Sequence, residues 1–382
     1  MPSLSTSPVP PPASDYPPGA SATAAAPGKG AACPDALPST PLKILLATHF
    51  FYPNIGGLET VARVLAEEFL ARGHEVRLVT GSAARPGEND AHMFPFPVCR
   101  EPGAGELLRL MRWCNVFFQN NISLRTLWPL LLVRRPWVVS HQTWLTRVDG
   151  SVGWQDRLKC QLIRYGSPIA ICRAVAEPLP VPATIIGNPY QSELFRVLPD
   201  VPRDRDFVFL ARLVSDKGGD LSLQALAELK RQGFTPNLSV IGDGPEMGNL
   251  RRMAADLGVE SQVTFHGMIT GEPLVRALNR HHTMIVPSRL AEPFGVVALE
   301  GVACGCALIG STGGGLVDAI GPCGELFENH SVSGLAATMR RFHEDPALRA
   351  RLQSHAPGHL ERHSPRKIAA AYLRVFERAM AR

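Results

Sequence analysis

The chain has 382 residues, 45% of them apolar and 19% charged; the length fits two or three domains and the composition is that of an ordinary globular protein. This excludes a wholly disordered chain, a fibrous repeat and a small disulfide scaffold. The formal charge, 39 − 34 = +5, is too mild over this length to mark a nucleic-acid protein without a localised patch.

Residues 1–41 are dense in Pro and Ala, with Asp15, Lys29 and Asp35 the only charges. With no large apolar set to bury, they read as a disordered tail. A basic stretch followed by an apolar one is missing, so a secretory signal is not expected. From Leu42 the pattern changes. Lys43–Thr48, Glu75–Thr80, Asn115–Gln119, Trp137–His141, Pro168–Cys172 and Ala183–Gly187 read as strands. Leu58–Arg72 has helical periodicity through Val61, Leu65, Phe69 and Leu70 and stops at Gly73.

A polar, Pro-containing joint at Leu198–Asp206 precedes a second series. Its strand-like runs are Phe207–Ala211, Leu238–Gly242, Val263–His266, Met284–Pro287 and Ala307–Gly310, and its helical stretches are Asp220–Gln232, Pro245–Leu257, Glu272–His281 and Val296–Cys304. Ser364-Pro365 opens a last helix, a cap followed by Pro at the first helical position. Alternating strands and helices predict parallel sheets. The expected architecture is α/β, with two doubly wound Rossmann-like domains: a tail over 1–41, a first domain over 42–200, a second over 201–363 and a C-terminal helix over 364–382.

The apolar run Leu130–Val133, closed by Pro129 and Arg134, falls far short of the ~20 residues a spanning helix needs. Eight cysteines (Cys33, Cys99, Cys114, Cys160, Cys172, Cys304, Cys306 and Cys323) include no C-x-x-C pair. They read as free thiols in a reducing cytoplasm, not as a zinc site.

Five features of the second half share one placement, the C-terminal ends of proposed parallel strands. They are Ala211-Arg212-Leu213 with Lys217-Gly218, Ile241-Gly242-Asp243-Gly244-Pro245-Glu246, Phe265-His266-Gly267, Pro287-Ser288, and the run Glu292-Pro293-Phe294-Gly295-Val296 leading into a helix that carries Glu300. Open α/β sheets bind ligands at such ends. Glycines let backbone approach a phosphate, helix N-termini present free N–H groups, and Arg212 and Lys217 add fixed positive charge. The combination suits a diphosphate. Each piece alone has a blander reading: a Gly-Asp-Gly is commonly a turn, Arg212 a surface ion pair, Glu300 a solvated helix face.

Together these residues resemble a retaining glycosyltransferase of the GT-B fold, glycosyltransferase family 4. The resemblance takes in Arg-Leu with Lys-Gly downstream, Gly-Asp-Gly-Pro-Glu, His-Gly, Pro-Ser and the glutamates of E-x7-E at Glu292 and Glu300. In the first half it takes in His49-Phe50-Phe51-Tyr52-Pro53-Asn54-Ile55-Gly56-Gly57-Leu58-Glu59 and Gly187-Asn188-Pro189-Tyr190 with Phe195. It implies two domains facing a cleft, the C-terminal helix crossing back to the first domain, and transfer of a hexosyl unit from a nucleotide-diphosphate sugar to a hydroxyl acceptor, glycan or lipid-linked, with retention. It further implies that Arg212 and Lys217 hold the diphosphate, Glu300 the ribose and Glu292 the sugar hydroxyls. Backbone at Gly242, Phe294, Gly295 and Val296 would meet phosphate and sugar, and the base would lie against Gly267–Ile269, Met268 included. Gly56 and Gly57 would close over the phosphates, and His141 would stand near the sugar. Cys172, Gln191 and Asn120-Asn121 depart from the family pattern, at positions read as acceptor-side or structural. No resident metal or cofactor is expected; the D-x-D triplet Asp204-Arg205-Asp206 precedes a strand, in the joint, instead of ending one. Two readings stay open beside this one. One is another GT-B enzyme, an epimerase or a phosphorylase, and the other is a non-catalytic sugar-nucleotide-binding scaffold.

Residues 107–173 carry ten Lys and Arg against Asp149 and Asp156, 10 − 2 = +8, together with every Trp of the chain: Trp113, Trp128, Trp137, Trp144 and Trp154. Three readings remain: a solvated basic face over a Trp-containing core, an anionic membrane surface that makes the protein peripheral at the inner face of a membrane, and Trp stacking on an acceptor sugar. A nucleic-acid partner is not expected, since no nucleic-acid motif accompanies the patch.

Overall fold

The computed structural model describes residues 40–54, 56–85, 87, 89–145 and 153–382. The tail expected over 1–41 lies outside the described residues but for its last two. Ile55 and Asp149, named above, and Arg147 of the basic stretch lie outside them too.

The described residues belong to one compact unit containing two sheets. The first is built from β1 (Lys43–Thr48), β2 (Glu75–Thr80), β3 (Val98–Arg100), β4 (Val116–Asn120), β5 (Trp137–His141), β6 (Ser167–Ala170) and β7 (Thr184–Ile185), in the order β3-β2-β1-β4-β5-β6-β7. The second holds β8 (Arg205–Leu210), β9 (Leu238–Ile241), β10 (Val263–Gly267), β11 (His281–Val286), β12 (Ala307–Ser311) and β13 (Gly324–Phe327), in the order β10-β9-β8-β11-β12-β13. All pairings are parallel. Both sheets are therefore doubly wound, and the strand order reverses between β1 and β4 and again between β8 and β11. Those reversals open a crevice at the C-terminal strand ends.

The strands form where sequence is apolar on both faces, because helices cover both sides of a parallel sheet. Ile44, Leu45, Leu46 and Phe118 are fully buried. Helix Gly57–Ala71 buries Val61, Leu65 and Phe69, and helix Gly219–Arg231 buries Leu223, Leu226 and Leu229. Helix Pro365–Met380 is capped by Ser364, whose Oγ accepts from Lys367 N. This helix joins the core of the first sheet: Tyr372 Oη lies 2.8 Å from Ser140 Oγ, and the Phe376 ring sits 5.4 Å from those of Phe69 and Phe118. The C-terminal helix thus crosses back as the resemblance implies.

Three sequence readings change. β3 and β13 were not legible, being short and, in Gly324–Phe327, opened by Gly and Glu. Ala183–Gly187 shrinks to the two-residue β7. Arg205 and Asp206 lie inside β8 instead of before it. Asp206 accepts hydrogen bonds from the backbone and side chain of Asn237, at 2.9 and 2.7 Å, which ties the start of β8 to that of β9, and Asp204 pairs with Arg280 at 2.5 Å. Both acids of the D-x-D triplet are held in these structural contacts.

Candidate active site

The loops after β8, β9 and β11 interlock through glycines. Gly218 has φ +72, and a Cβ there would stand 1.9 Å from the Pro287 carbonyl oxygen; Gly242 has φ +132, and its Cβ would stand 1.9 Å from that of Ala211. No side chain fits at either place, so backbone packs on backbone at the strand ends. Leu213 N donates to the Asp243 carbonyl at 2.9 Å and Gly242 N to the Gly267 carbonyl at 2.8 Å.

This packing brings Lys217 Nζ to 2.5 Å from Glu292 Oε1 and 3.6 Å from Asp216 Oδ2. Ser288 Oγ donates to the same Glu292 oxygen at 2.6 Å, and Ser311 Oγ fixes the Ser288 carbonyl at 2.8 Å. Glu292 is thus oriented by a cation and a hydroxyl. Its backbone is gripped from behind, where Gly315 N donates to the Glu292 carbonyl at 2.7 Å. The run Gly313-Gly314-Gly315 was not singled out in the sequence, although a triple glycine straight after a strand was its visible signal. Gly314 has φ +63, and a Cβ there would lie 2.1 Å from the Glu292 carbonyl oxygen.

Arg212 stands exposed on the loop after β8 and makes no side-chain hydrogen bond or ion pair among the described residues. Its five donors are therefore available to an anion. Phe294 is buried, and Gly295 in the left-handed region (φ +90) turns the chain into helix Val296–Ala303. Glu300 lies in the second turn of that helix, partly buried, and burial pushes its carboxyl up to about 7. Gly267 ends β10, and Met268 beside it is exposed.

The first sheet meets this loop directly. Trp144 Nε1 donates to the Ala291 carbonyl at 3.3 Å, and Cys172 Sγ to the Pro293 carbonyl at 3.2 Å. A Cβ on Gly57, the first residue of its helix, would lie 3.9 Å from Val296 Cγ2. Gly56 just before it is extended. Cys172 thus makes a structural contact onto the loop that carries Glu292. His141 ends β5, wholly buried, and neither ring nitrogen has a hydrogen-bond partner among the described residues. Burial pushes its imidazole down to about 4, so the ring is neutral near pH 7. Asn120, at the end of β4, donates to the Leu58 carbonyl at 3.0 Å and ties that strand end to the glycine turn.

The structure therefore joins Lys217 to Glu292 and sets Gly57 against Val296. Arg212 follows β8, His141 ends β5 and Glu300 lies in the second turn of its helix, and none of the three makes a side-chain hydrogen bond or ion pair among the described residues.

Two further histidines share the pKa behaviour of His141. Burial lowers His141, His281 and His363 to about 4, against an unfolded value near ~6.5. The unfolded chain therefore binds more protons between these values, and stability present above pH 6.5 is lost as the pH falls towards 4. The limiting slope is about 1.4 kcal/mol per pH unit for each histidine, and Glu300, raised to about 7, titrates in the opposite sense and offsets one of them. Urea unfolding across this range should show it, and His141→Asn should make the slope shallower by one proton. A wild-type profile flat from neutrality to pH 4.5 would contradict the burial argument.

Comparison with known proteins agrees with this geometry. Residues 191–359 match the family model described as glycosyl transferases group 1. Among curated proteins, a D-inositol 3-phosphate glycosyltransferase of Acidothermus cellulolyticus is 35% identical over 211 residues, 52% of this chain and 46% of that protein. A GDP-mannose-dependent alpha-(1-6)-phosphatidylinositol monomannoside mannosyltransferase of Mycolicibacterium smegmatis is 33% identical over 151 residues, 36% of this chain and 38% of that protein. The chain thus spans less than half the length of these relatives. Among solved structures, Anabaena HepE in complex with UDP and glucose superposes with a TM-score of 0.73 at 19% identity, covering 88% of this chain and 100% of the other. Sucrose-phosphate synthase from Thermosynechococcus elongatus gives 0.74 at 19% identity, covering 89% and 99%. The fold is GT-B, and residues 191–359, which carry Arg212, Lys217, Glu292 and Glu300, belong to the glycosyl transferases group 1 family.

Proposed function

We propose that the chain is a retaining glycosyltransferase that moves a hexosyl unit from a nucleotide-diphosphate sugar, bound between the two sheets, to a hydroxyl of a glycan or lipid-linked acceptor. The observation that carries this reading is the Lys217–Glu292 contact of 2.5 Å on a loop that the first sheet touches at Ala291 and Pro293. It supports the reading because a cation and an acid held together at the strand ends suit a pyrophosphate and its sugar side by side. We divide the chain into a donor-binding domain over 201–363 and an acceptor-side domain over 42–200 completed by the helix over 364–382.

Breaking the anomeric C–O bond leaves negative charge on the departing diphosphate while the sugar becomes oxocarbenium-like. Cations aimed at that charge stabilise the transition state more than the ground state. Arg212, unpaired among the described residues, and Lys217 supply them, and first-turn N–H groups of helix Val296–Ala303 add dipole stabilisation. Glu292, fixed by Ser288, accepts from sugar hydroxyls. The leaving phosphate oxygen takes the acceptor proton, so the reaction closes without a protein nucleophile. With Asp204 and Asp206 engaged by Arg280 and Asn237, the positive charge comes from side chains, and we propose that no resident metal takes part.

The acceptor belongs on the first-domain side, where Thr48, His49, Thr80, Glu101, Arg125 and Thr126 line a cavity of about 50 Å³ at the strand ends. Glu101 (φ 45) and Asn121 (φ 75) hold left-handed backbone there, and such outliers cluster at functional sites. Membrane contact through residues 107–173 belongs to the same reading. The test is a thermal-shift screen with nucleoside diphosphates and their sugars, followed by nucleotide-release assays over candidate acceptors, each with and without EDTA. One diphosphate class is expected to raise Tm, since a ligand at 100 times its Kd adds ~2.7 kcal/mol. Turnover should survive EDTA. No stabilisation by any nucleotide would defeat the donor site, turnover without acceptor would favour an epimerase, and dependence on orthophosphate a phosphorylase.

A further inference from the structure

The helices between β3 and β6 share one face of the first sheet. Leu107, Leu110 and Met111 of helix Ala104–Trp113, Leu127 of the short helix Leu124–Leu127, and Ile163 beyond helix Trp154–Leu162 all enter one apolar cluster against that face. Their outer surface is unlike the rest of the protein. Leu131, Tyr165, Trp154 and Leu132 are 85%, 84%, 71% and 67% exposed, the four most exposed large apolar side chains among the described residues. Trp154 and Leu158 sit one helical turn apart, so both point the same way. Leu131 and Leu132 close the 3-10 turn Trp128–Leu131.

Charge follows the same surface. Between 104 and 165, Arg109, Arg112, Arg125, Arg134, Arg157 and Arg164 are exposed, and none forms an ion pair among the described residues. Glu106 is the one exposed acid of that stretch among the described residues, Asp156 being buried and bonded to Gly153 N at 3.0 Å. Arg135 is tied down by the carbonyls of Met111, Arg112 and Arg134, and it braces the surface instead of extending from it. Trp137 is core, its Nε1 donating to Gln119 Oε1 at 3.2 Å, and Trp113 lies under Arg77. The Trp cluster of the sequence thus divides into a packed part and the outward Trp154.

We propose that this face docks on an anionic lipid bilayer, with Leu131, Leu132, Trp154 and Tyr165 entering the headgroup boundary and the arginines ringing them. Unpaired cations around exposed aliphatic and interfacial aromatic side chains complement a negatively charged apolar surface; apolar burial and electrostatic attraction add in such binding. Arg125 lies on the helix leading to Leu131 and also lines the strand-end cavity. Docking therefore holds the acceptor side of the cleft at the lipid, where a lipid-linked acceptor is met. The inference deepens the transferase reading, yet binding is measured without turnover, so either can fail alone.

The experiment is sedimentation of the full chain with phosphatidylcholine vesicles, with and without phosphatidylglycerol, at low and high salt. Recovery with the anionic vesicles is expected, weakened by salt, and Trp emission should shift to the blue in wild type but not in Trp154→Phe. The double variant Leu131→Ser, Leu132→Ser should lose binding while keeping Tm and the nucleotide-induced Tm shift. Each of Arg134→Glu, Arg157→Glu and Arg164→Glu should lower partition by at least about fivefold, the worth of one cation near such a surface. Equal recovery with neutral and anionic vesicles, or none with either, overturns the proposal. A lipid-independent dimer that the Leu131/Leu132 variant dissolves also overturns it, assigning the face to a second copy of the chain.

Discussion

Arg212→Ala is expected to lower turnover by roughly 100- to 1,000-fold, the usual loss of ~2.7–4 kcal/mol when one preorganised donor to a developing oxyanion is removed, while leaving Tm unchanged. The separation is the point of the experiment. Arg212 is exposed and makes no side-chain bond among the described residues, so the folded chain loses nothing with it, whereas a leaving diphosphate loses a guanidinium. Lys217→Ala should cost as much in turnover and should also lower Tm. Its ammonium is held by Glu292 Oε1 at 2.5 Å, and removing it leaves a largely buried carboxylate with only Ser288 to satisfy it. Adding Glu292→Gln to Lys217→Ala should recover stability without recovering turnover. Steady-state kinetics on the best donor, beside thermal melts of the same preparations, would check both halves. Wild-type turnover in Arg212→Ala removes the assignment of that group to the leaving charge.

The second large effect concerns backbone. Gly218→Ala places a methyl 1.9 Å from the Pro287 carbonyl oxygen at a residue with φ +72. Left-handed strain contributes about 1–3 kcal/mol and forced overlap a similar amount, together a large share of the ~5–15 kcal/mol that holds a typical domain. The variant should be strongly destabilised, and whatever folds should have little activity, because relieving the clash moves Lys217 away from Glu292. Gly233→Ala is the control. Its φ is +87, yet nothing lies within 4 Å of the added methyl, so it should lose only the left-handed strain of about 1–3 kcal/mol and none of the overlap. Equal urea midpoints for the two variants would mean that the loops after β8 and β11 are not locked together as described.

Both predictions turn on residues visible in the sequence but not on facts visible there. Arg212, Lys217, Glu292 and Glu300 were legible because strand–glycine–helix punctuation is local: a buried parallel strand reads as an apolar run, and its end is marked by Gly and a cap. The same locality made β1, β2 and β5 readable to the residue and hid β3 and β13, whose three or four residues form strands only because a neighbour supplies the ladder. Asp204-Arg205-Asp206 was placed in a linker for the same reason. Whether a polar residue begins a strand depends on the partner strand, here the one beginning after Asn237.

Sequence alone determined the class of fold, the identity of the charged groups and the order in which they occur, since periodicity and turn chemistry act over a few residues. Only the tertiary structure decided that Lys217, 75 positions from Glu292, donates to its carboxylate, and that Cys172 and Trp144 reach across to the loop carrying Glu292. It also decided that His141 is buried with both ring nitrogens unpartnered among the described residues, and that Trp154 points outward while Trp137 is core. Those outcomes depend on where the strand order reverses and on which helices cover which face. They follow from packing whole layers against one another, a long-range condition that no short stretch of chain contains.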